Sequence, residues 1–184
     1  GVERALSRHG LTLVGSGSYE KGSEDVSAAV ASIQKAAPQA VVMVGILRPA
    51  AAFVREYRKI DPGAQIFSIS VINGPELFAL VGGSAARGVG ITQVVPSPHR
   101  GTVKIVQEYR EAMRKYAPQA TPSYTSFEEY VGARVLVEGL RRVKGDVTPE
   151  ALLKALEAVD TDVGGFGVRF SPNNRVGSSF VEVT

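Results

Sequence analysis

Residues 40–49 read Ala40-Val41-Val42-Met43-Val44-Gly45-Ile46-Leu47-Arg48-Pro49, an apolar run stopped by a glycine and followed closely by a proline. Five small or apolar residues in a row, three of them valine, predict a strand buried on both faces. Pro49 predicts the opening of a helix through residues 50–59, AAAFVREYRK. Strand, turn and helix make one unit of a parallel sheet. In open α/β sheets ligands sit beyond the carboxyl ends of such strands, so the turn from Gly45 to Arg48 is the first candidate binding element.

Upstream, residues 1–10 predict an amphipathic helix with Gly10 at its left-handed end. Residues 11–14 (LTLV) predict a short strand, residues 15–19 a turn-rich connection, and Ser23 the cap of a helix reaching Ala36. Downstream, Asp61-Pro62-Gly63 predicts a turn, residues 66–71 a third strand, residues 75–81 a helix closed by Gly82 and Gly83, and residues 88–95 a fourth strand. This alternation predicts an α/β fold with a doubly wound parallel sheet. A fold of this kind seldom starts in mid-helix, so the sequence reads as a fragment of a longer protein.

Pro96-Ser97-Pro98 cannot continue a strand ladder and predicts a hinge or crossover. Helices follow at residues 103–116, 125–143 and 148–159, the last opened by Thr148-Pro149-Glu150. A terminal β-hairpin is expected from residues 168–170, through a turn at 171–174, to residues 178–183.

Composition narrows the function classes. Of 184 residues, 44% are hydrophobic and 21% charged, as in a globular domain, and no apolar run approaches the roughly 20 residues that cross a bilayer. The net charge of +3 is interleaved along helices, as in Arg55-Glu56-Tyr57-Arg58, which reads as a solvated face and not as a nucleic-acid patch. There is no cysteine, so disulfide and thiolate chemistry are excluded.

Gly15-Ser16-Gly17 lies between strand and helix like a phosphate-cradling loop. Gly22 comes too late for GxGxxG, however, and Ser23 stands where a P-loop needs lysine. His9 and His99 lack metal-ligand spacing. Glu157, Asp160 and Asp162 cluster at a helix end and read as solvation, and no serine sits in a nucleophile context. The residues support no enzyme and no cofactor or metal. Arg48 can meet a carboxylate in bidentate fashion or stand as a surface arginine. Ser68, Ser70 and Asn73, at or after the third strand, can serve a polar ligand. Tyr57, Tyr109, Phe127 and Tyr130 read as core.

Together the segments resemble the C-terminal half of a type I periplasmic solute-binding protein, in the branched-chain amino acid (Leu/Ile/Val) receptor group of ABC transporters. The likeness is carried by residues 19–25 before 28–33, by residues 38–45 (PQAVVMVG) with Arg48-Pro49, and by residues 88–92 (GVGIT) before Val95-Pro-Ser-Pro98. Residues 127–140 (FEEYVGARVLVEGL) and residues 164–177, with Gly164-Gly165 and Phe170-Ser171-Pro172, extend it.

The resemblance implies a two-lobed periplasmic receptor that closes by a hinge on a small solute and presents it to a membrane permease. Residues 1–97 would then be most of the second lobe, residues 98–160 helices belonging to the first, and residues 161–184 a return hairpin to the second. The family's second-lobe contacts fall on Ile46, Leu47, Arg48, Ser70, Val71 and Asn73. Branched-chain receptors commonly carry an aromatic residue where Leu47 sits and an acid near Val71. Their lack leaves room for an aromatic or aliphatic carboxylate or an amide beside an amino acid, because an uncompensated buried ammonium costs several kcal/mol. The alternative is a ligand-sensing regulatory domain of the same fold. A homodimer of the fragment is a further possibility, with the helices of residues 103–159 exposing or pairing an apolar patch.

Overall fold

Val41 and Met43 turn into a core while Ala40 and Val42 stay exposed. The computed structural model describes residues 1–184, which divide into two units, Gly1–Thr92 with Val183–Thr184 and Gln93–Glu182. From the N-terminus come α1 (Val2–Arg8), α2 (Ser27–Ala36), β1 (Ala40–Met43), α3 (Leu47–Ile60), β2 (Gln65–Ser68), α4 (Gly74–Val81), α5 (Gly83–Ala86) and β3 (Val89–Gln93). The strands form a sheet in the order β1-β2-β3-β6, where β6 is Glu182–Val183. β1 and β3 both run parallel to β2, with Met43 beside Ser68 and Ser68 beside Ile91. Ile91 and Thr184 exchange both backbone hydrogen bonds, at 2.8 and 2.9 Å, as antiparallel neighbours do.

The core of this unit joins Val41, Met43, Ile66 and Ile91 of the sheet to Val30, Phe53, Val54, Tyr57 and Leu77 of the helices. Helices α2, α3 and α4 thus cover one sheet face. The expected burial of β1 on both faces is not met, because no helix covers the face that carries Val42 and Phe67, and Val44 beyond the strand is 66% exposed. Phe67 lies across Gly90 there, where a Cβ would come within 2.7 Å of its ring.

Other local expectations shift for physical reasons. Residues 11–14 form no strand; they stay exposed without a neighbouring ladder to join. The third strand ends at Ser68, because the chain then turns through Ile69–Ile72, with the Ile72 amide bonded to the Ile69 carbonyl. Helix α3 begins two residues before Pro49. Ser23 does not cap α2; its hydroxyl accepts from the Asp25 amide, while Asp25 accepts from both the amide (3.0 Å) and the hydroxyl (2.7 Å) of Ser27.

The Ser27 hydroxyl, and next its amide, hold the Asp25 carboxyl below its ordinary pKa. A carboxylate with a lowered pKa in the folded state adds stability above its unfolded pKa and loses it as pH falls through the folded one. Asp25→Ala is therefore expected to lower the urea midpoint at pH 7 and to leave it nearly unchanged at pH 2.

The Gly15-Ser16-Gly17 segment has a packing role. A Cβ at Gly15 would meet the Ala36 methyl at 2.5 Å, and one at Gly17 would meet the Ala29 backbone at 2.8 and 2.9 Å. The Ser32 hydroxyl fixes the segment by donating to the Ser16 carbonyl at 2.8 Å. These glycines let the chain lie directly on α2. Since helix backbone cannot yield as a side-chain tip does, Gly17→Ala is expected to cost about 2 kcal/mol in a urea melt, with Ser16→Ala near neutral.

The second unit contains α6 (Lys104–Tyr116), α7 (Tyr124–Arg142), α8 (Pro149–Glu157) and the antiparallel hairpin of β4 (Asp160–Asp162) and β5 (Gly167–Arg169). Its core includes Val95, Ile105, Val106, Tyr109, Phe127, Val131, Val159 and Phe166. The Thr148 hydroxyl caps α8 with Pro149 at its start, as the sequence predicts. The hairpin is built one strand earlier than expected: β4 pairs with β5, and of residues 178–183 only the last two form a strand, in the main sheet.

Glu157, Asp160 and Asp162 are not merely solvated. They meet Arg175 (3.4 Å), Arg169 (2.9 Å) and the amides of Gly164 and Gly165. The parallel α/β architecture, its additional helices and an antiparallel hairpin near the C-terminus agree with the expected fold class. Leu136, Val137, Leu140 and Leu153 remain exposed on α7 and α8.

Candidate functional site

The carboxyl ends of β1 and β2 lie side by side, since Met43 is the register partner of Ser68. The connections that leave them, residues 44–46 and 69–73, run directly into α3 and α4. Ile46 is the extended N-cap of α3 and Asn73 that of α4, and neither helix start has a side-chain cap. First-turn amides have no partner inside a helix, and the dipole favours negative charge there. Neighbouring strand ends thus present two helix N-termini that can bind a carboxylate or another acceptor.

The six residues singled out from the sequence distribute over this crest. Ile46 is exposed, and Leu47 packs partly against the core. Arg48 projects with 72% of its side chain exposed, and its Nη1 donates to Glu24 Oε1 at 3.4 Å. Ser70 is half-buried, Val71 is exposed, and Asn73 donates through Nδ2 to Glu76 Oε1 at 3.2 Å. Ser68, at the end of β2, carries a buried hydroxyl with no hydrogen-bond partner.

Two further residues belong to the crest that the sequence reading did not single out. Tyr19 places its hydroxyl against the turn after β1, 3.5 Å from the Ile46 amide that donates to it. A Cβ at Gly45 would come within 2.8 Å of that hydroxyl, so glycine is what lets the tyrosine lie over the turn. Glu24 supplies an acid beside Arg48, as Glu76 does beside Asn73. For Tyr19 the sequence signal is the glycine itself, a mark of close approach.

In the second unit, an open cavity is lined by Pro96, Arg100, Val103, Phe166, Phe180 and Glu182, among others. Near it, the Tyr124 hydroxyl donates to Glu182 Oε1 at 3.2 Å, and burial first, then the Glu182 charge, raises the phenol's pKa. No group of three histidine, aspartate or glutamate side chains is placed to hold a metal ion, and no helix is long and apolar enough to cross a membrane.

Comparison with known proteins gives these surfaces a context. The profile of a family described as periplasmic binding protein matches residues 1–181. Leu/Ile/Val-binding protein homolog 7 of Brucella abortus is 28% identical over 182 residues, covering 94% of this chain and 45% of that protein. A substrate-binding periplasmic protein from Ralstonia solanacearum superposes with a TM-score of 0.87 at 34% identity, over 99% of this chain and 52% of the other. A possible leucine/isoleucine/valine-binding protein from Rhodopirellula baltica follows at 0.84 and 31%, over 91% and 46%. The chain spans about half the length of the relatives it matches.

Proposed function

Because this chain belongs to the periplasmic binding protein family, we propose that it is part of a solute receptor of an ABC importer. In this reading the receptor takes an amino acid or a small carboxylate or amide in a cleft and delivers it to a membrane permease from the periplasm. The names of its relatives support the class. The observation that carries the placement is the pair of uncapped helix starts at adjoining strand ends.

Residues 1–97 would form most of one lobe and residues 98–160 would belong with the other, with Glu182–Val183 the part of residues 161–184 that returns to the first lobe's sheet. Closure turns about crossovers that include Pro96–Pro98, with the solute shifting the balance toward the closed form. The amides of Leu47 and Arg48 and the Arg48 guanidinium hold the carboxylate, and Ser70 and Asn73 hold a second polar group. Glu24 offers a counter-charge to an ammonium, while Ile46, Leu47 and Val71 face the apolar part.

Calorimetric titration of the full-length gene product with leucine, valine, benzoate and propionamide tests this reading. At least one is expected to bind saturably, and Arg48→Gln and Ser70→Ala are each expected to weaken it about tenfold, or about 1.4 kcal/mol. Absence of binding by all four, or affinities indifferent to both variants, contradicts it.

A further inference from the structure

We propose that the second unit carries a binding site of its own for a small zwitterion with an apolar body, in the open cavity lined by Arg100, Val103, Phe166, Phe180 and Glu182. The cavity measures about 430 Å³ and lies between the connection entering α6, the β4–β5 turn and the segment leading into β6. That volume falls within the range of small-molecule pockets, about 300–1,000 Å³. All of its lining belongs to the second unit, and none of the strand-end residues takes part in it.

Two opposite charges that do not meet point to the ligand. Glu182 accepts from the Tyr124 hydroxyl at 3.2 Å and has no basic partner. The Arg100 guanidinium makes no hydrogen bond and has no acidic partner, although its charge reaches Tyr124. Elsewhere in this unit such charges close on each other: Arg134 on Glu108 and Arg142 on Glu138, both at 2.7 Å. Glu182 is half-buried and Arg100 exposed, and both line the cavity, so a guest can reach the two together.

A guest with a single charge is attracted by one of these groups and repelled by the other. A zwitterion instead offers its carboxylate to the Arg100 fork and its ammonium to Glu182. The frame around them is held. The Ser97 hydroxyl accepts from the amides of His99 (3.3 Å) and Arg100 (3.2 Å), which fixes the turn that carries Arg100. The Tyr124 phenol anchors Glu182 from α7, and burial above all raises that phenol's pKa, which keeps it a donor. Phe166 and Phe180 meet edge to face at 6.0 Å and, with Val103, supply an apolar wall. Gly165 lets the β4–β5 turn lie on that wall, since a Cβ there would come within 2.9 Å of the Val103 side chain.

The full chain is titrated with 4-(aminomethyl)benzoate at constant ionic strength and followed by ¹⁵N amide spectra, with benzoate and benzylamine as single-charge controls. The expected result is a saturable shift of the Gly101, Gly165 and Gly167 amides, with either control weaker by about fivefold or more. Arg100→Gln and Glu182→Gln are each expected to weaken the zwitterion about tenfold; the second keeps an acceptor for the Tyr124 hydroxyl. At the same time Arg100→Gln is expected to strengthen benzylamine and Glu182→Gln to strengthen benzoate, because each removes the repelling charge. If Glu182→Gln unfolds, Arg100→Gln, on an exposed turn, decides. Motionless amides, a control that binds as tightly as the zwitterion, or folded variants that bind the zwitterion as before overturn the proposal. Shifts confined to Leu47, Arg48 and Gly74 also overturn it, while supporting the strand-end site.

Discussion

Replacing Tyr109 by alanine is expected to lower the free energy of unfolding by about 4 kcal/mol, as truncation of a buried aromatic side chain does. Tyr109 is 1% exposed, and its ring packs on Phe127 and Tyr130 with centroids 5.0 and 5.6 Å away. Its hydroxyl reaches the start of α7, 2.6 Å from the Ser126 hydroxyl, and accepts from the Ser123 amide at 3.2 Å. Ser123 and Ser126 cap that helix reciprocally, so one side chain ties α6 to both the core and the N-terminus of α7. Tyr109→Phe keeps the ring and loses only the hydroxyl, and is expected to cost about 1.5 kcal/mol. Urea midpoints at constant m-value measure both. Equal losses for the two variants would contradict this division between packing and hydrogen bonding.

Arg58→Met is expected to cost about 3 kcal/mol, since hydrogen bonds from a charged group contribute about 1.5–3 kcal/mol and truncation orphans their acceptors. The guanidinium donates to four carbonyls: Pro62 and Ala64 at 2.7 Å, Arg87 at 3.1 Å and Ala85 at 3.2 Å. It thereby binds the turn before β2 and the segment before β3 to the end of α3. Arg58→Lys is expected to recover less than half of the loss, because an ammonium cannot reproduce the planar fork. A lysine variant as stable as the parent would show that charge alone is what this position requires.

These two residues show what a sequence exposes and what it hides. Tyr109 reads as core from its spacing with Val106 and Met113, and it is core; its hydroxyl partners lie on another helix, and no local pattern announces them. Arg58 sits in an alternating charged run and reads as a solvated face, yet its fork closes contacts up to 29 residues away in sequence. The β1–α3 unit is legible because its apolar run and helical periodicity are local.

What covers β1 is a tertiary fact, so an apolar run alone does not separate a face under helices from the open face that carries Val42. Gly15 and Gly17 share the residue type of a phosphate loop without its spacing, because close approach to a phosphate and close approach to a helix demand the same residue. The crest itself was legible from the rule that ligands gather at the ends of parallel strands. Tyr19 and Glu24 were not, because they reach it from 24 to 27 residues away.

The most direct test of the proposed solute site is the ¹⁵N amide spectrum of the full-length gene product, with and without the strongest binder among leucine, valine, benzoate and propionamide. The amides of Leu47, Arg48 and Gly74 are expected to move most, together with Ile46 under the Tyr19 hydroxyl. A bound ligand that leaves these amides in place would contradict it.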